Sequence, residues 1–325
     1  MTQAIIARAP PGAGLSAGTR ILLALLLLLL LAAPALIYPI AVMKVLCFAL
    51  FACAFNLVLG YTGLLSFGHA AFFGWAAYVS AHVVKIWGLP PELGILAGTA
   101  AGAALGLGFG WLAIRRQGIY FAMVTLALAQ MMFFVALEVP FTHGEDGIQA
   151  VPRGTLFGLF DLSEPYTMYY TVLAIFLIGF VILYRTIHSP FGQVLKAIRE
   201  NEPRAVSLGY KVDLYKLLAF TLSAGLAGLA GATKALVFQL ASLTDATWQM
   251  SGEVVLITLL GGVGTVFGPV VGATIWVFLE TYLSGIGSWV TVIQGSIFVI
   301  VVLTFRKGVV GELGQWLERR GGSAS

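Results

Sequence analysis

The chain is short of charge. Only 10% of its 325 residues are Asp, Glu, Lys or Arg, where an ordinary soluble domain carries about a quarter. Eighteen basic and 14 acidic side chains cannot cover the surface of a water-soluble protein of this length. The composition therefore argues against a soluble enzyme, a nucleic-acid binder or a disordered scaffold. Cysteine is also scarce: Cys47 and Cys53 lie six apart in one apolar run, without metal-type spacing, and read as packing residues. No G-x-x-x-x-G-K-[ST] phosphate loop occurs, so any ATP hydrolysis has to come from another polypeptide. Asp and Glu are nearly absent from the middle of the apolar runs, which argues against an ion-driven carrier, since such carriers couple through buried carboxylates.

What is present is apolar sequence, 59% hydrophobic. A spanning helix needs about 20 apolar residues, and ten runs qualify: 21–40, 41–59, 63–84, 93–113, 118–138, 166–184, 216–238, 252–265, 267–284 and 289–305. The expectation is an all-α, polytopic transmembrane bundle of about ten spans, eight if the short, glycine-interrupted runs are re-entrant. The first run is too long for a signal peptide, whose apolar region spans about 7 to 15 residues. The division expected is a tail over 1–20, a membrane domain over 21–305 with a loop at 185–216, and a second tail over 306–325. With both termini cytoplasmic, 14 of the 18 Lys and Arg fall on the cytoplasmic side; Lys44, Lys85, Arg153 and Lys234 do not. The positive-inside rule favours this topology, in the cell (inner) membrane, over its inverse.

Gly98, Gly102, Gly106 and Gly110 recur every four residues and predict a face where a neighbouring backbone approaches closely; Ala224, Gly228 and Ala232 repeat the device. Two further clusters interrupt spans: Gly60 to Gly63 with Ser66 to His69, and Gly261, Gly262 and Gly264 with Phe267 to Pro269. They read either as turns between helices or as unwound backbone lining a substrate path. The candidate path residues are Asn56, Gly60, Gly63, Ser66, His69, Gly261, Gly262 and Gly264. For the polar residues the rival readings are plainer. Asn56 and Gln130 would be hydrogen-bond partners between helices, His69 a capped histidine, Glu253 a first-turn acid facing water and Lys234 a cation reaching outward.

The longest cytoplasmic loop, Arg185 to Lys216, carries the clearest pattern. Ser189 reads as a helix cap and Pro190 as the first helical residue. Behind them Phe191, Val194, Leu195 and Ile198 form an apolar stripe at i, i+3, i+4 and i+7, opposite Gln193, Lys196, Arg199 and Glu200. Pro203 opens a second helical turn that Gly209 closes. The mixed-charge polar face favours docking in a protein cleft over lying on lipid.

Ser189-Pro190-Phe191-Gly192, Ala197 to Glu202, Ala205 and Leu208-Gly209 resemble the coupling segment of the branched-chain amino-acid permease family of ABC importers. Further blocks follow in that family's order: Ala54 to Leu57, Gly60 to Gly63, Ser66 to Ala70, Gly118 to Phe121, Thr142 to Ile148, Phe220 to Ala224, Leu260 to Gly262 and Gly268-Pro269. The resemblance runs from about residue 50 to 310. His143 stands where the pattern has glycine and Lys307 where it has proline. The resemblance implies a non-enzymatic permease subunit without cofactor, metal or nucleic acid, embedded in lipid. Its partners would be two ABC ATPase subunits, a second homologous permease and an extracytoplasmic solute-binding protein. Pro190, Phe191, Gly192, Val194, Leu195, Ala197, Ile198, Arg199, Glu200 and Gly209 would serve ATPase coupling. Phe191, Val194, Leu195 and Ile198 would form the contact face, with Arg199 and Glu200 paired at its rim. Leucine, isoleucine and valine are the substrates implied; urea, amides or another small organic solute are the alternatives. An ion channel lacks its pore-helix pattern. The G-x-S-x-G match at Gly14 to Gly18 lacks the strand an intramembrane hydrolase would need before it, and Ser66 with His69 lacks an orienting acid.

Overall fold

The computed structural model describes residues 28–34 and 37–283, together with 289, 292–293, 295–296, 299, 303 and 308–312. The tail 1–20, the start of the first expected span, more than half of the tenth and most of the tail 306–325 lie outside these residues. Among the described residues, ten α-helices follow one another from 39 to 283: α1 (Pro39–Asn56), α2 (His69–Lys85), α3 (Pro91–Ala113), α4 (Ile119–Glu138), α5 (Pro165–His188), α6 (Pro190–Glu200), α7 (Glu202–Ser207), α8 (Val212–Phe238), α9 (Trp248–Gly261) and α10 (Gly268–Leu283). Proline opens α1, α3, α5 and α6, where its missing N–H leaves no intrahelical bond unmade.

Among the described residues five helices are long and apolar enough to cross a membrane: Pro39–Thr62, α3, α4, α5 and α8. The first of these is α1 continued by a π turn, Leu57–Thr62. The run expected at 63–84 becomes helical only at His69, because Gly63 takes a left-handed φ of 75° and ends the π turn. The run expected at 252–265 becomes α9, which starts four residues earlier and stops at Gly261.

The glycine period of α3 packs on α8. A Cβ on Gly98 would lie 2.6 Å from the Ala76 carbonyl oxygen and 2.8 Å from Ala232 Cβ; on Gly102, 2.9 Å from both the Ala224 oxygen and Gly228 Cα; on Gly106, 2.1 Å from Ala224 Cβ. The two helices therefore run antiparallel in near backbone contact, with Ala224, Gly228 and Ala232 facing the glycines as the spacing predicts. Beside this seam Phe55, Phe72, Phe121 and Phe220 are fully buried and form the aromatic centre of the core.

The bundle has two unlike ends. One carries α6 and α7. The other carries four two-residue strands, a departure from the all-α expectation: Ile148–Gln149 (β1) pairs antiparallel with Leu240–Ala241 (β4), and Thr155–Leu156 (β2) with Phe160–Asp161 (β3). The loop after α4 is thereby stitched to the end of α8, with the Lys85 ammonium donating to the Gln149 carbonyl at 2.7 Å. His143 in this loop has φ 63° and ψ 24°, the left-handed conformation for which glycine is the usual residue and which histidine adopts more readily than most.

Gly102→Val should cost about 1–3 kcal/mol through overpacking of the α3–α8 seam. Gly108 has open space where a Cβ would go, so Gly108→Ala should raise stability by up to about 1 kcal/mol. Thermal unfolding of the purified chain in detergent reads both, and equal midpoints for the two variants would refute the seam.

Candidate functional site

The site is built at the α6 end. Ser189 caps α6 by accepting the Gly192 N–H at 3.3 Å, and Asn201 caps α7 by accepting the Arg204 N–H at 3.0 Å. The apolar stripe of α6 turns inward, onto this chain's own helices. Leu195 is fully buried and Ile198 nearly so, the Phe191 ring stacks on Tyr215 at 5.5 Å, and Val194 packs with Ile198, Ala205 and Val212. Half of the stripe expected to meet an ATPase, Leu195 and Ile198, is thus closed off, because α6 folds back across the ends of α5 and α8, while Phe191 and Val194 stay half-buried, each at the edge of an open groove. Gln193, Ala197 and Glu200 remain exposed. Beyond them Val206, Leu208 and Tyr210 stand out from α7 and the turn at Gly209, and Leu208 is 69% exposed. Between these elements an open groove of about 540 Å³ is lined by His188, Pro190, Gln193, Val194, Ala197 and Tyr210.

The base of α6–α7 is held by charge. Lys216, buried on α8, donates to Glu202 at 2.7 Å, and the other Glu202 oxygen accepts from Gln117 at 2.9 Å. Arg199 does not pair with Glu200 at a rim. Its guanidinium reaches away from α6 and donates to the carbonyl of Gly60.

That carbonyl belongs to a junction of the two glycine clusters. The Asn56 side chain accepts the Gly264 N–H at 2.9 Å and donates to the Thr265 carbonyl at 2.8 Å. A Cβ on Gly60 would fall 2.7 Å from the Gly264 nitrogen and 2.4 Å from Asn56 Oδ1. Gly308 closes the group from a third side: with φ 73° it leaves no room for a Cβ, which would sit 2.4 Å from Gly262 Cα. Of the path residues read from sequence, Asn56, Gly60, Gly63, Gly261, Gly262 and Gly264 come together here.

Ser66 and His69 do not join them. Ser66 accepts the Gly68 N–H within its own turn at 3.1 Å. His69 Nε2 lies 3.0 Å from Ser223 Oγ, whose hydroxyl donates to the Ala54 carbonyl. With that hydroxyl proton already used, Nε2 is the donor to Ser223. The ring is fully buried among Phe55, Phe72 and Phe220, a packing arrangement that leaves the hydrolase reading without a reactive serine–histidine pair.

Charge at the other end escaped the sequence reading. Lys44 of α1 pairs with Glu280 of α10 at 2.8 Å, and Lys234 of α8 with Asp245 at 2.5 Å. Lys234 thus ends on a buried acid of the loop beyond α8 and not in open water. Glu253 is the sixth residue of α9, half-buried, and not in its first turn. Lys44 counted only among the basic residues off the cytoplasmic side, and its partner lies 236 residues away, beyond any local pattern. Among the described residues no group of three His, Cys, Asp or Glu side chains could hold a metal ion.

A family model described as the permease component of branched-chain amino acid transport systems matches residues 37–302. The high-affinity branched-chain amino acid transport system permease protein LivM of Escherichia coli (strain K12) is 28% identical over 297 residues, covering 83% of this chain and 69% of that protein. The ribose import permease protein RbsC of Bacillus subtilis (strain 168) is 30% identical over 190 residues, 55% of this chain and 58% of that one. No solved structure matches.

Asn56→Ala should strip the Gly264 and Thr265 backbone of their partners and cost about 1–3 kcal/mol. Ser66→Ala, which loses one bond inside a turn, should cost less. Thermal midpoints of the two purified variants give the order, and the reverse order would overturn the central place of Asn56.

Proposed function

Because the chain belongs to the family of branched-chain amino acid transport permease components, we propose that it forms part of the translocation path of an ATP-driven importer of leucine, isoleucine and valine. The chain is a multi-pass protein of the cell (inner) membrane. The substrate class follows the relative matched over 83% of the chain rather than the ribose permease matched over 55%.

In this reading the α6 end faces the cytoplasm. Arg115, Arg116, Arg185, Lys196, Arg199, Arg204, Lys211 and Lys216 all lie on the segments gathered there, as the positive-inside rule requires. Both tails then lie in the cytoplasm too. The chain has no phosphate loop, so two ABC ATPase subunits supply the hydrolysis from outside it, and a second homologous permease and an extracytoplasmic binding protein complete the importer. The observation that carries the coupling role is the exposed apolar edge of Val206, Leu208 and Tyr210 beside the groove on α6. Apolar groups left bare on a basic, otherwise polar surface mark a protein contact. Coupling therefore works through the outward side of α6–α7, with Pro190, Gln193 and Ala197 at the contact and Leu195 and Ile198 holding the helix from behind.

The path is assigned to α1, α9 and α10. Their flank carries the Lys44–Glu280 pair, with side chains 24% and 40% exposed, and the Asn56–Gly264 junction toward the α6 end. A partly exposed ion pair on spanning helices is costly against hydrocarbon, so this flank faces water or the second permease.

The importer reconstituted in liposomes with its ATPases and binding protein should take up leucine when ATP is enclosed with the ATPases. Replacing Val206 and Leu208 together with Asp should release the ATPase subunits and cut leucine uptake about tenfold or more, as expected for loss of interface anchors, while the subunit stays inserted. Leu195→Asp should instead prevent the subunit from folding. Undiminished uptake in the Val206/Leu208 double variant would sink the coupling assignment; uptake driven by an ion gradient without ATP would sink the importer reading.

A further inference from the structure

We propose that Arg199 is a positioning residue that ties α6 to both glycine loops, so that any shift of α6 reaches two helical hairpins at once. The inference rests on the coupling role given to α6 above and adds the route by which its movement leaves the helix.

Three observations converge on this side chain. First, the guanidinium donates to the Gly60 carbonyl in the π turn that ends α1. Second, its path is bordered by glycine on both sides. A Cβ on Gly63 would come within 3.2 Å of Arg199 Cγ, and one on Gly264 within 3.2 Å of a guanidinium nitrogen. Both glycines have positive φ, 75° and 78°. Third, Lys196, one turn earlier on α6, places its ammonium 5.6 Å from the centre of the Tyr61 ring in the same π turn. α6 thus grips residues 60–61 twice, and the Arg199 guanidinium lies where a side chain at 264 would meet it.

The two loops are fastened to each other independently of α6, by the Asn56 side chain. A pull on Gly60 is therefore shared by the α1–α2 hairpin and the α9–α10 hairpin. A lysine at 199 would keep the charge but lose the planar fork that lets one group bond a carbonyl while lying flat beside a second backbone. The Arg199 bond is to backbone, so it depends on the carbonyl and on the space two glycines leave.

The assembled importer, reconstituted in liposomes with its ATPases and binding protein, tests this with leucine as probe and two readouts: leucine moved per ATP hydrolysed, and retention of the ATPase subunits. Arg199→Ala should keep the ATPases bound yet lower leucine moved per ATP by about fivefold or more, the usual size of a coupling between sites. Arg199→Lys should restore part of that ratio. Gly264→Ala, which leaves α6 intact but crowds the guanidinium, should lower it as Arg199→Ala does. An unchanged ratio in Arg199→Ala or in Gly264→Ala overturns the proposal while leaving ATP-driven uptake by the unaltered importer intact. Loss of the ATPases from all three variants would make Arg199 a structural strut and overturns it too. Absence of ATP-driven leucine uptake by the unaltered importer defeats the functional reading itself, and this inference with it.

Discussion

A helix that ends inside an apolar bundle leaves amide and carbonyl groups without intrahelical partners, and each needs a donor or acceptor from elsewhere. The chain meets this demand twice in one place. α1 loosens into a π turn at Leu57–Thr62 and α9 stops at Gly261. Asn56 serves the second loop with one donor and one acceptor, and Arg199 serves the first from outside the bundle. Glycine follows from the same demand: where a carbonyl, an amide and a guanidinium must all approach within bonding distance, no Cβ fits between them. The glycine-rich sequence at 60–63 and 261–264 is thus the consequence of two broken helices sharing partners, and the meeting of α1, α9 and α6 follows from it.

The same economy shapes the rest of the bundle. α3 and α8 approach through glycine and alanine because dispersion contacts at close backbone distance, and not exclusion of water, hold helices together in a membrane. Two lysines that enter the helical bundle are each paired with an acid, Lys44 with Glu280 and Lys234 with Asp245. His69 is accommodated by aromatic rings and one hydroxyl.

Local pattern made much of this legible. The four-residue glycine period named the face of α3 that packs closely, and the small-residue spacing marked a like face on α8, though not that the two meet. Ser189-Pro190 marked the start of α6 to the residue, and Asn56 was rightly read as bridging two segments, although its partners could not be named. What failed were statements about direction. An apolar stripe announces that a helix edge is buried, but not against what; Leu195 and Ile198 of the stripe pack on this chain's own helices, while Phe191 and Val194 are half-buried at open grooves. The ion pairs failed for a related reason. A lone lysine at 44 and a glutamate at 280 carry no local mark of each other, and only the packing of α1 against α10 joins them. Leu208 and Val206 were passed over because no period connects them; their exposure arises from a short helix and a glycine turn with φ 87° at Gly209.

That inward-facing stripe changes what α6 can do when pushed. A helix held to its bundle only at its ends would bend or peel under a load and absorb the movement itself. α6 is fixed along its length by Leu195 and Ile198, at its far end by the Glu202–Lys216 bridge through α7, and at Arg199 by the Gly60 carbonyl. Tight packing of this kind resists compression and passes displacement on. Under the coupling role proposed for α6–α7, force applied to the exposed edge at Val206 and Leu208 would have two exits, through Lys216 into α8 and through Arg199 into the glycine junction. The first leads into the close-packed α3–α8 seam, which has no room to yield. The second leads to two helix ends held by hydrogen bonds of the Arg199, Asn56, Thr62 and Thr265 side chains and by a few glycines, so the proposed route leaves the close-packed seam for a junction of individual hydrogen bonds.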